Sequence, residues 1–261
     1  MSQLILDYLD HWKEKEGIQI FYAVESGSRV WGFATEDSDY DVRFLFHREL
    51  KDYVGIGEFP ATITGNHDGR LDGHGWDIRK MAGLLSKSNP SIMEWLFSPI
   101  VYIEKGVIIQ ELRRLAREHF SARRLAYHHF SMVRSHFKSH IQQQTKMNPK
   151  AYLHTLRSLF TVLYLEERPL LLPPYSIEKL AREVKMSDHW YEVINHLIEA
   201  KQNIELKWIK PLSDLDQFIS DFLEKSKQRV QHIPDRAFPS DQLNELVYQQ
   251  LLTTITKPPS Y

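Results

Sequence analysis

The 261-residue sequence contains no cysteine. Disulfides, thiolate metal sites and a cysteine nucleophile are thereby excluded, and the absence fits a reducing compartment. No apolar run approaches the roughly 20 residues that a membrane-spanning helix needs. Met1-Ser2-Gln3-Leu4 opens a mixed amphipathic pattern rather than a basic stretch followed by an apolar one, so no secretory leader is expected. Net charge is scarce too: 33 Lys and Arg stand against 34 Asp and Glu, so a polyanionic partner must meet a local surface. No repeat or low-complexity tract is present. At 42% hydrophobic and 26% charged, the composition is that of an ordinary globular protein, long enough for two domains and cytoplasmic by default.

Against these absences one stretch carries chemistry. The apolar run Ile18-Gln19-Ile20-Phe21-Tyr22-Ala23-Val24 predicts a buried strand, broken at Gly27-Ser28 by a tight turn and a short helix. A second strand is expected from Ser38 through Phe46. Alternation along it puts Asp39, Asp41 and Arg43 on one face and Tyr40, Val42 and Phe44 on the other. Two carboxylates on one face repel each other, and a divalent cation with oxygen ligands, Mg²⁺ or Mn²⁺, is the natural occupant between them. Gly27 lets backbone approach a ligand, and the amides opening the next helix face outward toward an anion. Arg43 is expected to orient a carboxylate by a charge-assisted bond.

Gly-Ser, then residues 29 to 38, then Asp39-x-Asp41 on a strand resembles the DNA polymerase β-type nucleotidyltransferase superfamily. That superfamily adds a third carboxylate on a neighbouring strand. Trp76-Asp77-Ile78-Arg79-Lys80 reads as that strand, with Asp77 the third carboxylate and Asp72 close before it as the alternative. More narrowly, the chain is similar to the YcgL-type predicted nucleotidyltransferases, close to RNA-repair-associated polymerase-β-type enzymes. The residues carrying this are Gly27-Ser28-Arg29, Trp31-Gly32-Phe33, Ser38 through Arg43, Trp76 through Lys80, Asn89-Pro90, Glu94-Trp95-Leu96, Ser98-Pro99 and Lys150 through Arg157. The resemblance implies an NTP as substrate, with Gly27, Ser28 and Arg29 at its phosphates. It also implies a helical second domain that completes the nucleotide site. Lys150, Tyr152 and Arg157 share one predicted helix, with Lys150 and Arg157 seven apart on nearly one face, and are the candidates for that grip.

The rest of the chain is expected to support this site. An amphipathic helix over residues 3–15 precedes the first strand and stops at Gly17. The polar stretch Gly65 to Gly75, with Asp-Gly twice, reads as a hairpin or loop tip, and its His67, Asp68, Asp72 and His74 lack a recognised ligand spacing. A helix is expected after Asn89-Pro90, then a short strand over 100–103. From about 106 helical periodicity takes over, with helices near 149–168, 176–185, 188–201, 213–230 and 240–254 and a fraying tail at Lys257–Tyr261. The expected architecture is α+β. A nucleotidyltransferase domain with a mixed sheet covers residues 1–110, a helical domain covers 111–261, and the active site lies between them.

Basic residues concentrate between 113 and 138 (Arg113, Arg114, Arg117, Arg123, Arg124, Arg134, Lys138), a local surface suited to an RNA acceptor. A protein or small-molecule hydroxyl is the alternative acceptor. Other readings are a non-catalytic nucleotide-binding or antitoxin-like module, and a HEPN-type endoribonuclease built on Arg123/His128 or Arg124/His129. A zinc site on His136 and His140 lacks identifiable further ligands.

Overall fold

A computed structural model describes residues 1–203 and 208–253; the tail Lys257–Tyr261 lies outside them. The fold is α+β, and its contacts divide the chain into two compact units. One takes residues 1–30, 38–120 and those from 237 onward. The other takes 31–37 and 121–236.

The first unit opens with α1 (Ser2–Glu16), whose Ile5, Tyr8, Leu9 and Trp12 form a buried stripe at helical spacing. Gly17, at φ 60°, ends it by returning its N–H to the Lys13 carbonyl. Next come β1 (Gln19–Glu25), the short helix α2 (Gly27–Trp31), β2 (Tyr40–His47) and α3 (Leu50–Val54). β3 (Thr62–His67) and β4 (Leu71–Asp77) form the hairpin foreseen from Asp-Gly, with Asp68 and Gly69 both at positive φ in its tip. α4 (Ile78–Leu85), α5 (Pro90–Leu96), β5 (Val101–Glu104) and α6 (Ile108–His119) follow.

The sheet runs β3-β4-β2-β1-β5, with β2 and β4 parallel and the other neighbours antiparallel. One face carries Val42, Phe44 and Phe46, packed with the α1 stripe. Gly73 and Gly75 make that packing possible: a Cβ on Gly73 would sit 2.0 Å from the Tyr8 hydroxyl, and one on Gly75 would sit 2.1 Å from the Phe44 ring. On the other face Trp76 stacks on Trp95 of α5 at 3.8 Å between centroids.

The strand expected over Trp76–Lys80 needs correction. It ends at Asp77, whose carboxylate accepts from Arg79 N at 2.9 Å and caps α4.

The second unit is helical: α7 (Ala122–His136), a π-helical turn at Phe137–Ile141, α8 (Pro149–Glu167), α9 (Ile177–Glu183), α10 (Asp188–Gln202) and α11 (Ser213–His232). α8 is its spine, buried along Leu153, Leu156, Leu159, Phe160 and Leu165 and packed by all four of the other helices. Trp31 and Phe33 also belong here, and both are buried. The chain then returns to the first unit. α12 (Ser240–Leu252) packs on α4 and α6, so the contacts group it with the sheet although its sequence is simply more helix.

Candidate active site

Asp41 and Asp72 are register partners across the parallel β2–β4 pair. Carboxylates directly opposite each other on neighbouring strands repel. Here a single guanidinium separates them: Arg43 Nη2 donates to Asp41 Oδ1 at 2.7 Å and to Asp72 Oδ2 at 2.9 Å, while Nη1 donates to the Asp72 carbonyl at 2.9 Å. Arg43 lies two residues from Asp41, so the alternation that aligned Asp39 with Asp41 also supplies this clamp. Asp39 is exposed and lies one residue before β2 begins.

Asp41 also lies against the Gly27 turn. Gly27 has φ +65°, and a Cβ there would meet Asp41 Oδ2 at 1.9 Å. The glycine is therefore required twice, by its backbone conformation and by the carboxylate beside it. Three further side chains of the first unit fix this turn. Glu94 of α5 accepts from Ser26 Oγ at 2.6 Å and from Gly27 N at 3.3 Å. Ser98 Oγ donates to the Glu25 carbonyl at 2.6 Å. The fully buried Glu25 carboxylate accepts from Asp41 N at 2.9 Å and from the Tyr102 hydroxyl. Burial raises the Glu25 carboxyl above its usual range, and burial with the Glu25 bond raises the Tyr102 phenol. Glu25, Glu94 and Tyr102 received no site role from the sequence. The available signals were Glu25, an acidic residue closing an otherwise apolar strand run two residues before Gly27, and Glu94, which lies in one of the segments that carry the family resemblance.

Several expected site residues are placed elsewhere. Asp77 lies five residues along β4 from Asp72 and on the opposite parity, so at about 3.3 Å per residue it stands about 16 Å further along the strand. It caps α4 and accepts from the Tyr53 hydroxyl at 2.6 Å. Of the two candidates for third carboxylate, the structure brings Asp72 to Asp41 and does not bring Asp77. Arg29 stacks on Tyr40, with Cζ 3.8 Å from the ring centroid, and donates to the Ser38 carbonyl at 2.7 Å. It braces the approach to Asp39 instead of reaching outward. Ser28 stays in the turn, half-buried. Tyr152 is buried, donates to Asp216 at 2.7 Å and accepts from Leu212 N at 3.1 Å. Its hydroxyl ties α8 to α11.

Lys150 and Arg157 do share a face of α8, with His154 between them: both act on its imidazole. Arg157 lies over the Trp31 ring at 4.7 Å. The basic segment 113–138 divides between the units, and much of it is engaged internally. Arg113 pairs with Glu104 at 2.9 Å, and Arg114 pairs with Glu111 and Glu118. Arg123 donates to the Ile233 carbonyl at 2.6 Å, and Arg124 pairs with Asp235 at 3.3 Å. His129 is buried, so each Arg–His pair of the ribonuclease reading has one member committed to packing.

The sheet, the Gly-Ser turn and the carboxylates on adjoining strands are in keeping with the polymerase-β-type nucleotidyltransferases that the sequence resembles. Residues 1–249 match the RNA repair pathway DNA polymerase beta family (RlaP), and the chain belongs to that family. It is 33% identical over 256 residues to the uncharacterized protein YcgL of Bacillus subtilis (strain 168), covering 98% of this chain and 96% of that one. The crystal structure of a nucleotidyltransferase-like protein from Exiguobacterium sibiricum 255-15 aligns over 96% of this chain and 78% of its own. Its TM-score is 0.32 and its identity 14%, too distant to add to the family assignment.

Proposed function

We propose that the chain is a divalent-metal-dependent nucleotidyltransferase that moves a nucleoside monophosphate from an NTP to an acceptor hydroxyl and releases pyrophosphate. One observation carries this reading. Asp41 and Asp72, partners on parallel strands, are drawn together by Arg43, and Asp41 packs against the Gly27 turn.

Asp39, Asp41 and Asp72 offer only oxygen donors, the set suited to Mg²⁺ or Mn²⁺. Among the described residues no three His, Asp or Glu side chains converge as a ready-made metal cage. That suits an ion which keeps water and completes its shell from substrate phosphates. Asp39 and Asp41 would hold such a cation, which would supply neutralisation of phosphate charge and acidification of an attacking hydroxyl. The remaining roles belong to the chain itself. The Gly27 amide is taken by Glu94, and Ser28, next along the turn, is the residue we assign to phosphate through its backbone amide. Lys150 and Arg157 of α8 are also assigned to phosphate. Asp72, the alternative to Asp77 as third carboxylate, accepts the hydroxyl proton. Arg43 keeps Asp41 and Asp72 aligned.

The acceptor we favour is the 3′ hydroxyl of an RNA. Support comes from the RNA-repair description of the family more than from charge, since Arg113, Arg114, Arg123 and Arg124 are engaged within the fold. The test is to incubate the chain with each labelled NTP, Mg²⁺ or Mn²⁺, and total cellular RNA, protein and metabolites. Label at RNA 3′ ends is expected. Label on protein or a metabolite would overturn the acceptor, and label in no fraction would contradict transfer itself.

A further inference from the structure

Past Asp72 the acidic face of the sheet continues along β4 and across to β3, the strand at the sheet's edge. His74 lies two residues from Asp72, so it shares that face and stands about 6.6 Å further along the strand. Its register partners are Arg43 on one side and Thr64 on the other. Two indoles hold its ring. Trp76 and Trp95 are buried and stacked on each other, and the imidazole meets both edge-on, at 5.7 and 6.1 Å between centroids. Trp76 Nε1 donates to His74 Nε2 at 2.8 Å. An indole N–H can only donate, so this Nε2 carries no proton, and the neutral imidazole keeps its proton on Nδ1. Among the described residues no acceptor meets that Nδ1–H, and the atom is open to solvent. The Trp76 N–H thus fixes an accessible donor on the acidic face. All of these residues belong to the first unit.

The place of His74 in the sheet says which reactant would meet this donor. In phosphoryl transfer the attacking and leaving oxygens lie roughly in line, on opposite sides of the phosphorus. β1 and β4 flank β2 on opposite sides, and the Gly27 turn that follows β1 packs on Asp41. With the triphosphate at that turn, the attacking hydroxyl comes from the side of Asp72, and His74 lies beyond it. Two oxygens on adjacent carbons, each with a hydrogen bond of about 2.8 Å, fit the spacing between these two side chains. We propose that His74 is a specificity-determining residue: its Nδ1–H donates to the hydroxyl beside the one that attacks, and so recognises a vicinal diol, the terminal ribose of an RNA acceptor. This rests on the nucleotidyl-transfer reading, which puts the attacking hydroxyl at Asp72. It adds the group that tells a ribose end from a deoxyribose end.

The experiment compares binding of a short single-stranded RNA ending in ribose with the same RNA ending in 2′-deoxyribose, on the full chain without metal or NTP. The parent should bind the ribose end about fivefold more tightly, the scale of one hydrogen bond. His74→Gln should keep the preference, because its carbonyl can accept from Trp76 while its amide still donates. His74→Met is of similar length but donates nothing, and it should bind both ends alike. A purely structural role for His74 would shift both affinities together and leave their ratio unchanged. Thermal unfolding checks that each variant is folded, and His74→Leu replaces His74→Met if that one is not. Equal binding of the two ends by the parent, a preference that survives loss of the donor, or no binding of either RNA overturns the proposal. The same RNAs are also offered in the label-transfer assay. Label transfer by a parent that binds both ends alike sinks this inference and leaves the transferase reading standing. Ribose-selective binding that depends on His74, in a chain that transfers no label, sinks the transferase reading alone.

Discussion

In the sheet unit, two carboxylates that would repel each other share one guanidinium, whereas in the helical unit cations and histidines gather around His154. The first arrangement is closed at short range: Arg43 reaches Asp41 and Asp72 at 2.7 and 2.9 Å. In the second, aromatic rings lie beneath Arg157 and Lys201. On the proposed reading, the acidic strands take a cation and a hydroxyl, and the basic helices take phosphate.

Removing the acidic side should have the largest effect. Asp39→Asn and Asp41→Asn should each lower transfer by about a thousandfold, the scale of several kcal/mol of metal-borne charge stabilisation. Thermal unfolding should confirm that both variants remain folded. Turnover within tenfold of the parent in either would break the contrast between the units.

A smaller but compound effect is expected from Gly27→Ala. The methyl group would meet Asp41 Oδ2 at 1.9 Å on a backbone at φ +65°. Transfer should fall with Asp41's displacement, and stability by about 1–3 kcal/mol. Denaturant unfolding and label transfer measured on one preparation check both parts. Unchanged unfolding would mean that the turn yields freely.

The helical unit should announce itself through pH. His129 and His154 are each held down to about 3, by burial first and by cationic neighbours second. Between about 6.5 and 3 the unfolded chain binds protons at these positions that the folded chain refuses. Stability should therefore fall as pH drops through that window, by up to about 1.4 kcal/mol per pH unit for each histidine. Urea midpoints taken across the range measure it, and His129→Leu should flatten the slope by about half. The smallest effect belongs to Tyr152→Phe. Losing the bond to Asp216 should cost about 1–2 kcal/mol of stability, and nucleotide affinity should not move.

How far the sequence could be read follows the same physics. Period-two alternation put Asp39, Asp41 and Arg43 on one face without reference to anything distant, and the Arg43–Asp41 contact fits the orienting role expected of that arginine. The choice between Asp72 and Asp77 was out of reach because it depends on register between residues 31 apart in sequence. Asp72 and Asp77 flank the same aromatic, and only the pairing of Asp41 with Asp72 separates them. Tyr152 looked like part of a basic helix face, but its hydroxyl is claimed by Asp216, 64 residues on. The basic segment read as a surface because its carboxylate and carbonyl partners, such as Glu104, Asp235 and Ile233, lie on other elements. Periodicity likewise announced α12 as a helix and had no means of returning it to the sheet.

The central claim is that Asp41, Arg43 and Asp72 are the acidic core of a transferase, and it meets its most direct test in one paired measurement. Label transfer from NTP and thermal unfolding are followed side by side in Asp72→Asn and Asp77→Ala. The account predicts that Asp72→Asn loses transfer by about a hundredfold or more and stays folded. Asp77→Ala should keep transfer and lose about 1–2 kcal/mol of stability with the α4 cap. Transfer that survives in Asp72→Asn and fails in a folded Asp77→Ala would contradict it.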